Sequence, residues 1–461
     1  MIHNPNSHAQ INILRIGLIG VIVLIMISPI INNLTSPRVF NLDQFMVVTM
    51  EKDRTALLLR SAITAIILFV SFLFVWPGIQ QKFYKPELQL WFSSMIFSCG
   101  PILSSFLGSK VSLSPQWFVL PLSFTALLLM KGKDLMWFIK LVRMIALIYL
   151  YGSLIFAIAD PSFAIEENYK LGFIYSFRLH GIANLANHLA PMAIVFWVTN
   201  RMMEKKNVYV NSLHWLVSLT VLILTQSKTT WVTFLIIFIF VLIVSRTSAV
   251  RHIYLLIAGI FVLCIYLFMI NSAASNYLDL QSQDVQLLTS LTGRNFVWSY
   301  TIDIWRHNPI FGYGLDLWKD EETRLPFLSM YNWAPGQAHN QFFQTLGESG
   351  IVGVVGLIYY VIILIKFGWR YSQESKFITI MMVLLLLIRG ITESTLESNI
   401  FKENFLYHFI TFTLLLIYVK KEKEKMLGNI EPSRLSLSHV GSKRDNRIPG
   451  IPQIKPQNMN V

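Results

Sequence analysis

One arginine and one histidine sit in a single long polar stretch, in settings that suit phosphate binding and proton transfer. Arg294 follows Thr292-Gly293, His339 precedes Asn340, and Pro309-Ile310-Phe311-Gly312-Tyr313-Gly314 lies between them. From Gly293 to His307 apolar residues recur at helical spacing, with Phe296, Val297, Tyr300, Ile304 and Trp305 on one face and Asn308-Pro309 as a stop. This predicts an amphipathic helix with Arg294 in its first turn. Free N–H groups and the positive dipole end favour an anion there, so a guanidinium is a poor choice for helix stability and a good one for gripping a phosphate. The alternative is a surface arginine paired with Asp303 or Asp316. His339 leads into an apolar run and is expected at or just before a helix N-terminus. The dipole there disfavours imidazolium and keeps the ring neutral, as a general base must be. The alternative is an interfacial polar cap. His180, His188, His307 and His408 are further candidates that the sequence alone does not rank.

The elements that must position these groups are membrane helices. Hydrophobic residues form 54% of the 461 and charged ones 14%, too apolar for a soluble chain of this length. Crossing roughly 30 Å of hydrocarbon takes about 20 apolar residues in a helix. About 12 runs qualify, near 12–31, 57–76, 88–107, 115–130, 135–159, 181–200, 208–226, 229–245, 252–270, 350–366, 377–390 and 404–419. The fourth and eleventh are the shortest. The expected fold is an all-α polytopic membrane protein with about 12 transmembrane helices and one long outer-face loop carrying short amphipathic helices. Residues 1–270 hold the first nine helices, 271–349 form the outer catalytic loop, 350–419 hold the last three helices, and 420–461 form a basic, disordered cytoplasmic tail. Lys82, Lys85, Lys131, Lys133, Arg201, Lys205, Lys206, Arg246, Arg251, Lys366, Arg370 and Lys376 all fall in turns on one side. The positive-inside rule makes that side cytoplasmic and places 160–180, 226–228 and the long loop outside.

The net charge of +13 follows from this topology and suits anionic membrane lipid; it gives no case for nucleic acid. Cys99 and Cys264 fall inside predicted spans, as packing residues rather than a disulfide framework or metal cage. Asp316, Asp320, Glu321 and Glu322 could hold a divalent ion, but a solvated acidic turn is the simpler reading, and no metal or cofactor is expected. A transporter of lipid-linked oligosaccharide is the non-enzymatic alternative. Such proteins place ionisable groups near the membrane midplane. No predicted span contains Asp or Glu, and Arg15, Arg60, Lys140, Arg143 and Arg389 stand toward span ends, where snorkelling accounts for them.

Several short motifs occur in a fixed order: Arg178-Leu179-His180-Gly181 with Asn187 following, Ser227-Lys228-Thr229, Gly293-Arg294 with Trp298, Asn308-Pro309 through Gly314, His339-Asn340, and Glu348-Ser349-Gly350. In this order, and with the long loop among them, the chain resembles the O-antigen ligase and Wzy-type polymerase superfamily. Members move glycans off a polyprenyl diphosphate carrier on the outer face of the bacterial inner membrane. The resemblance implies that Arg178, Arg294 and Lys228 grip the donor's diphosphate, that His339 is the catalytic base, and that Asn187, Asn340 and Gly314 support them. Two positions depart from the family pattern. Ala186 stands where proline is frequent, and Lys228 where arginine is common, which keeps the charge but loses the bidentate fork.

The resemblance further implies a metal-independent, inverting glycosyltransferase with an undecaprenyl-diphosphate-linked glycan as substrate, membrane lipid as its surroundings, and a flippase and a chain-length regulator as partners. The stretch from His339 to Gly350 favours a polymerase of O-antigen or exopolysaccharide. A ligase to lipid A core or a protein O-oligosaccharyltransferase is the alternative within the superfamily. Trp298, Trp305, Tyr313, Trp318, Tyr331 and Trp333 offer flat faces for sugar rings or anchors at the interface.

Overall fold

The computed structural model describes residues 5–35, 54–78, 83–111, 114–132, 137–167, 176–201, 207–244, 294–315, 317–331, 334–396 and 398–438. The predicted span 252–270, the start of the long loop, Asp316, Trp333 and the chain beyond Ser438 lie outside these residues. So does the side chain of Tyr331.

The architecture is all-helical. In chain order come α1 (Pro5–Thr35), α2 (Arg54–Gly78), α3 (Lys85–Leu107), a 3-10 turn (Pro115–Phe118) leading into α4 (Val119–Leu129), and α5 (Phe138–Ala159). A two-residue antiparallel ladder follows, β1 (Ile165–Glu166) against β2 (Arg178–Leu179), then α6 (Ala186–Asn200), α7 (Val208–Leu224) and α8 (Lys228–Val244). The outer segment supplies α9 (Arg294–His307) and α10 (Glu321–Tyr331); α11 (Gln341–Arg370), α12 (Ile378–Gly390) and α13 (Glu403–Ser438) complete the bundle.

Among the described residues five helices, in α1, α2, α3, α5 and α11, are long and apolar enough to cross a membrane. The helices at the fourth and eleventh predicted spans fall short. α12 has 13 residues, about 20 Å at 1.5 Å per residue against roughly 30 Å of hydrocarbon. These short helices pack inside the bundle, as does the first half of α13, where Phe405 to Val419 are almost wholly buried. A helix apolar on every face has no side to offer water, and its neighbours here cover all of it. Phe412 stacks on Phe124 at 3.7 Å, and His408 Nε2 meets the Tyr360 hydroxyl at 2.8 Å. His408 is therefore a core residue. Cys99 lies on the exposed side of α3, not in packing as the sequence led us to expect.

α13 does not end where the predicted tail begins. It runs on to Ser438, and its 420–425 stretch is tied down: Lys420 and Lys423 reach the buried Glu87, while Lys421 and Lys425 reach Glu374. Glu422 ties back to Arg370 and Tyr371. The expectation of disorder from 420 onward is thus corrected for the described part of the tail; composition alone did not reveal partners on α3 and α11.

α11 is two helices joined at Gly350, whose φ of 59° and ψ of −157° break the ladder. The Pro309–Gly314 segment fills the break. Tyr313 N donates to Gly347 O at 2.8 Å and Gly314 N to Glu348 O at 3.1 Å, while Ile351 N and Val352 N donate to Pro309 O and Ile310 O. Backbone meets backbone so closely that a Cβ on Gly312 would lie 2.6 Å from Gly350 N. Gly314, expected to support the site, lies in this joint at φ 127°.

Candidate functional site

α9, α10 and the joint form a small second core, with Val297, Leu317, Trp318, Phe327 and Ala338 buried in it. Trp298 stacks on Phe343 at 5.2 Å and donates to Ala338 O at 2.9 Å. These contacts correct the reading of Trp298 and Trp318 as sugar platforms, since their faces are taken by packing. Of the predicted apolar face of α9, Val297, Tyr300 and Ile304 pack inward, whereas Phe296 is 47% exposed. Asp320 does not stand free for a metal. It bonds Lys110 and the Tyr313 hydroxyl and caps α10 through Thr323 N, tying the second core to the end of α3. Burial alone would raise its carboxyl, but the hydrogen bonds and charge of Lys110 and the Tyr313 hydroxyl hold it below the usual range. Among the described residues no group of three His, Cys, Asp or Glu is arranged to hold a metal ion.

This assembly delivers Arg294 and His339 to one carboxylate, Glu393, in the 391–402 connection between α12 and α13. Arg294 Nη2 lies 3.6 Å from Glu393 Oε1 and His339 Nδ1 lies 3.3 Å from Oε2. Gln337 Nε2 donates to Oε2 at 2.6 Å and Asn187 Nδ2 to Oε1 at 3.1 Å. Ser394 Oγ in turn bonds Gln337 Oε1. Glu393 is 3% exposed. Burial alone would raise its carboxyl, yet the hydrogen bond and charge of His339, with the charges of His188 and Arg389, pull it well below the ordinary carboxylate range. It is an anion at any physiological pH.

His339 precedes the N-cap of α11, as expected. The cap is Asn340, whose Oδ1 accepts from Phe342 N and Phe343 N and whose Nδ2 donates to Ile391 O at 3.0 Å. Asn340 therefore fixes both the helix start and the Glu393 segment. His339 itself takes a left-handed backbone, φ 50°, uncommon for a side-chain-bearing residue and found often at functional sites. With Nδ1 against a carboxylate, the neutral ring carries its proton on Nδ1 and presents Nε2 as the basic atom. The side chain is 28% exposed. The helix dipole invoked from sequence is thus only half of its environment; Glu393 is the other half.

Asn187, in the first turn of α6, links the second arginine to this centre. Its Oδ1 accepts from Arg178 Nη2 and from Ser227 Oγ at 3.0 Å. Arg178 is held on β2, opposite Glu166, with Nε donating to Thr225 O at 2.8 Å. Gln226 Nε2 reaches back to Phe177 O at 2.5 Å, so the ladder and the α7–α8 turn are stitched together. Burial raises the Glu166 carboxyl, although Arg178 opposes the shift. Lys228, first in α8, is exposed and near enough to Arg178 for the two charges to repel.

The structure also separates readings that the sequence left open. Asp303 pairs with Arg306 at 3.2 Å, not with Arg294. His307 is exposed, with Nδ1 2.9 Å from Asp303 O. His180 and His188 are buried; His188 Nδ1 lies 3.2 Å from Glu403 Oε2. That pair is close without the alignment of a hydrogen bond. Arg389 does not snorkel. It is 1% exposed, donates to Asn187 O at 2.9 Å and Asn404 Oδ1 at 3.2 Å, and lies over the Tyr407 ring.

Glu393, Gln337 and Ser394 were missed in the sequence. The available signal was a carboxylate four residues after Arg389, one of two in a short polar connection of a chain poor in acids.

The fold and this centre define a multi-pass membrane protein with buried polar machinery gathered at one end of its helices. Residues 214–358 match the family model described as O-antigen ligase, which supports placing the chain in the O-antigen ligase and Wzy-type superfamily. The matched segment includes Lys228, Arg294 and His339; Arg178, Asn187 and Glu393 lie outside it. No curated protein matches the chain.

Proposed function

We propose that the protein is a glycan polymerase of O-antigen or exopolysaccharide synthesis in the bacterial inner membrane. It transfers an undecaprenyl-diphosphate-linked glycan to a sugar hydroxyl on the outer face. The observation that carries this reading is the convergence of Arg294, His339 and, through Asn187, Arg178 on the single buried carboxylate of Glu393.

The glycan's anomeric carbon already bears a good leaving group. Breaking its bond to oxygen develops charge on the diphosphate, which Arg178 and Arg294 offset, with Lys228 as a further cation at the rim. Arg294 has five N–H donors and, among the described residues, one loose contact to Glu393, so donors remain for phosphate oxygens. His339 Nε2 takes the proton of the acceptor hydroxyl as its oxygen attacks. Glu393 keeps Nδ1 protonated and balances the imidazolium that forms. A single displacement inverts the anomeric configuration.

The test is transfer in proteoliposomes supplied with the lipid-linked glycan purified from the producing cells. His339→Ala should fold, insert and bind the donor, and lose roughly a hundredfold or more of turnover. A variant that keeps more than about a tenth of wild-type turnover would remove His339 from the chemistry.

A further inference from the structure

Beside the Glu393 centre lies a polar cleft between the second half of α3, the 3-10 turn before α4, the first turns of α11 and the 391–402 connection. Ser98, Gln116, Trp117, Ser349, Ser398 and Asn399 are among its lining residues. Gln337 and Ser394 line it too, and Gln337 also bonds Glu393 and lies two residues from His339. The cleft therefore borders the Glu393 centre through Gln337 and Ser394, while Asn187 and Arg178 do not line it. Most of its polar groups are neutral hydroxyls and amides; among the described residues Lys319, Lys402 and Glu348 are its ionisable lining residues.

Its polar groups are not fully used by the fold. Ser349 is 2% exposed, yet among the described residues nothing bonds its hydroxyl, and the same holds for the side chains of Gln116 and Ser398. Polar side chains that line a cleft and that the fold leaves without a bond among the described residues are open to a ligand's hydroxyls or to water. Neutral amides and hydroxyls beside an indole are the chemistry that reads sugar hydroxyls, whereas a diphosphate calls for the arginines.

We propose that this cleft is the acceptor subsite, holding the terminal sugar of the acceptor glycan with its attacking hydroxyl toward His339. The assignment rests on the transferase reading above, and it separates the two substrates: donor diphosphate at Arg178 and Arg294, acceptor sugar between α3 and α11.

Gln116→Ala and Ser398→Trp test it. Neither touches Glu393 or His339; the first removes a side chain the fold does not use, and the second fills the cleft. The donor is the lipid-linked glycan from the producing cells, and the acceptor is the same glycan freed of its lipid diphosphate by mild acid. Gln116→Ala should raise the KM for the freed glycan roughly fivefold or more, the scale of one or two lost hydrogen bonds. Ser398→Trp should raise it further, and both should leave the KM for the donor unchanged. An unchanged acceptor KM in both variants would overturn the subsite while leaving the transferase reading intact. If the wild type transfers nothing, calorimetric binding of the freed glycan decides. Binding lost in Ser398→Trp keeps the cleft as a glycan site and removes the transferase reading; no binding to the wild type overturns the subsite.

Discussion

Charged side chains gather at both ends of the bundle, and the two gatherings are built differently. At one end, Lys420, Lys421, Lys423 and Lys425 come from a single stretch of α13 and meet Glu87 and Glu374, two cations to each carboxylate. Those ion pairs are closed, and each joins α13 to a neighbouring helix or turn. At the other end, one carboxylate in the 391–402 connection is met by groups from α6, α9 and the run into α11, with Arg178 and Lys228 in further reach. Here the cations come from separate elements: Arg294 meets Glu393 directly, while Arg178 faces Glu166 and reaches Glu393 through Asn187. A bundle needs only the first arrangement to hold itself together. The second leaves N–H donors of Arg294 over among the described residues, which is what a diphosphate requires.

The contrast breaks most sharply at Glu393. Glu393→Gln removes the charge that balances Arg294 and the proposed imidazolium while keeping the shape. Turnover should fall about 10- to 100-fold, the scale of one lost charged hydrogen bond. If transfer in proteoliposomes stays within twofold of wild type, the centre is structural like the lysine end.

Next come the arginines. Arg294→Lys and Arg178→Lys keep the charge but lose the fork, so each should cost roughly tenfold in kcat/KM, chiefly through donor KM. Full rescue by lysine would show that charge alone matters, and the two ends of the molecule would then differ only in position.

Acid sharpens the comparison in another way. The folded-state value of Glu393 is depressed, so its contribution to stability is fully present above the ordinary glutamate value, about 4.3, and is lost as pH falls through the lower folded value. The gap in melting temperature between wild type and Glu393→Gln in detergent should therefore be constant from pH 7 to about pH 5 and shrink below about pH 4. A gap that shrinks already at pH 6 would mean that the carboxylate is not held as an anion by its neighbours.

How much of this was legible beforehand divides along the same line. Helices, their approximate places and the break after Asn308-Pro309 follow from apolar periodicity, and Arg294 and His339 stood out because a polar loop in a greasy chain is easily seen. Two things were hidden. Span length could not reveal that α12 is buried by its neighbours rather than reaching across a bilayer, since burial is a property of packing. Glu393 could not be connected with residues as distant in sequence as Asn187, because only the docking of the Pro309–Gly314 joint into α11 brings the run into α11 against the 391–402 connection. The charged run after Val419 read as a tail for the same reason: its partners, Glu87 and Glu374, lie far away in the chain.

The smallest effect is expected at the lysine end, and it serves as the control for all the others. Glu374 sits in a turn and holds Lys421 at 3.2 Å and Lys425 at 2.7 Å, with both lysines substantially exposed. Solvent-exposed pairs of this kind are screened and worth well under about 1 kcal/mol each. Glu374→Ala should therefore lower the melting temperature by no more than a few degrees and leave both substrate KM values unchanged. Its pairs should also weaken with salt, whereas the buried Glu393 centre should respond far less. If Glu374→Ala impaired transfer as severely as Glu393→Gln, loss of either carboxylate would be acting through the fold, and the division between a holding end and a working end would fail.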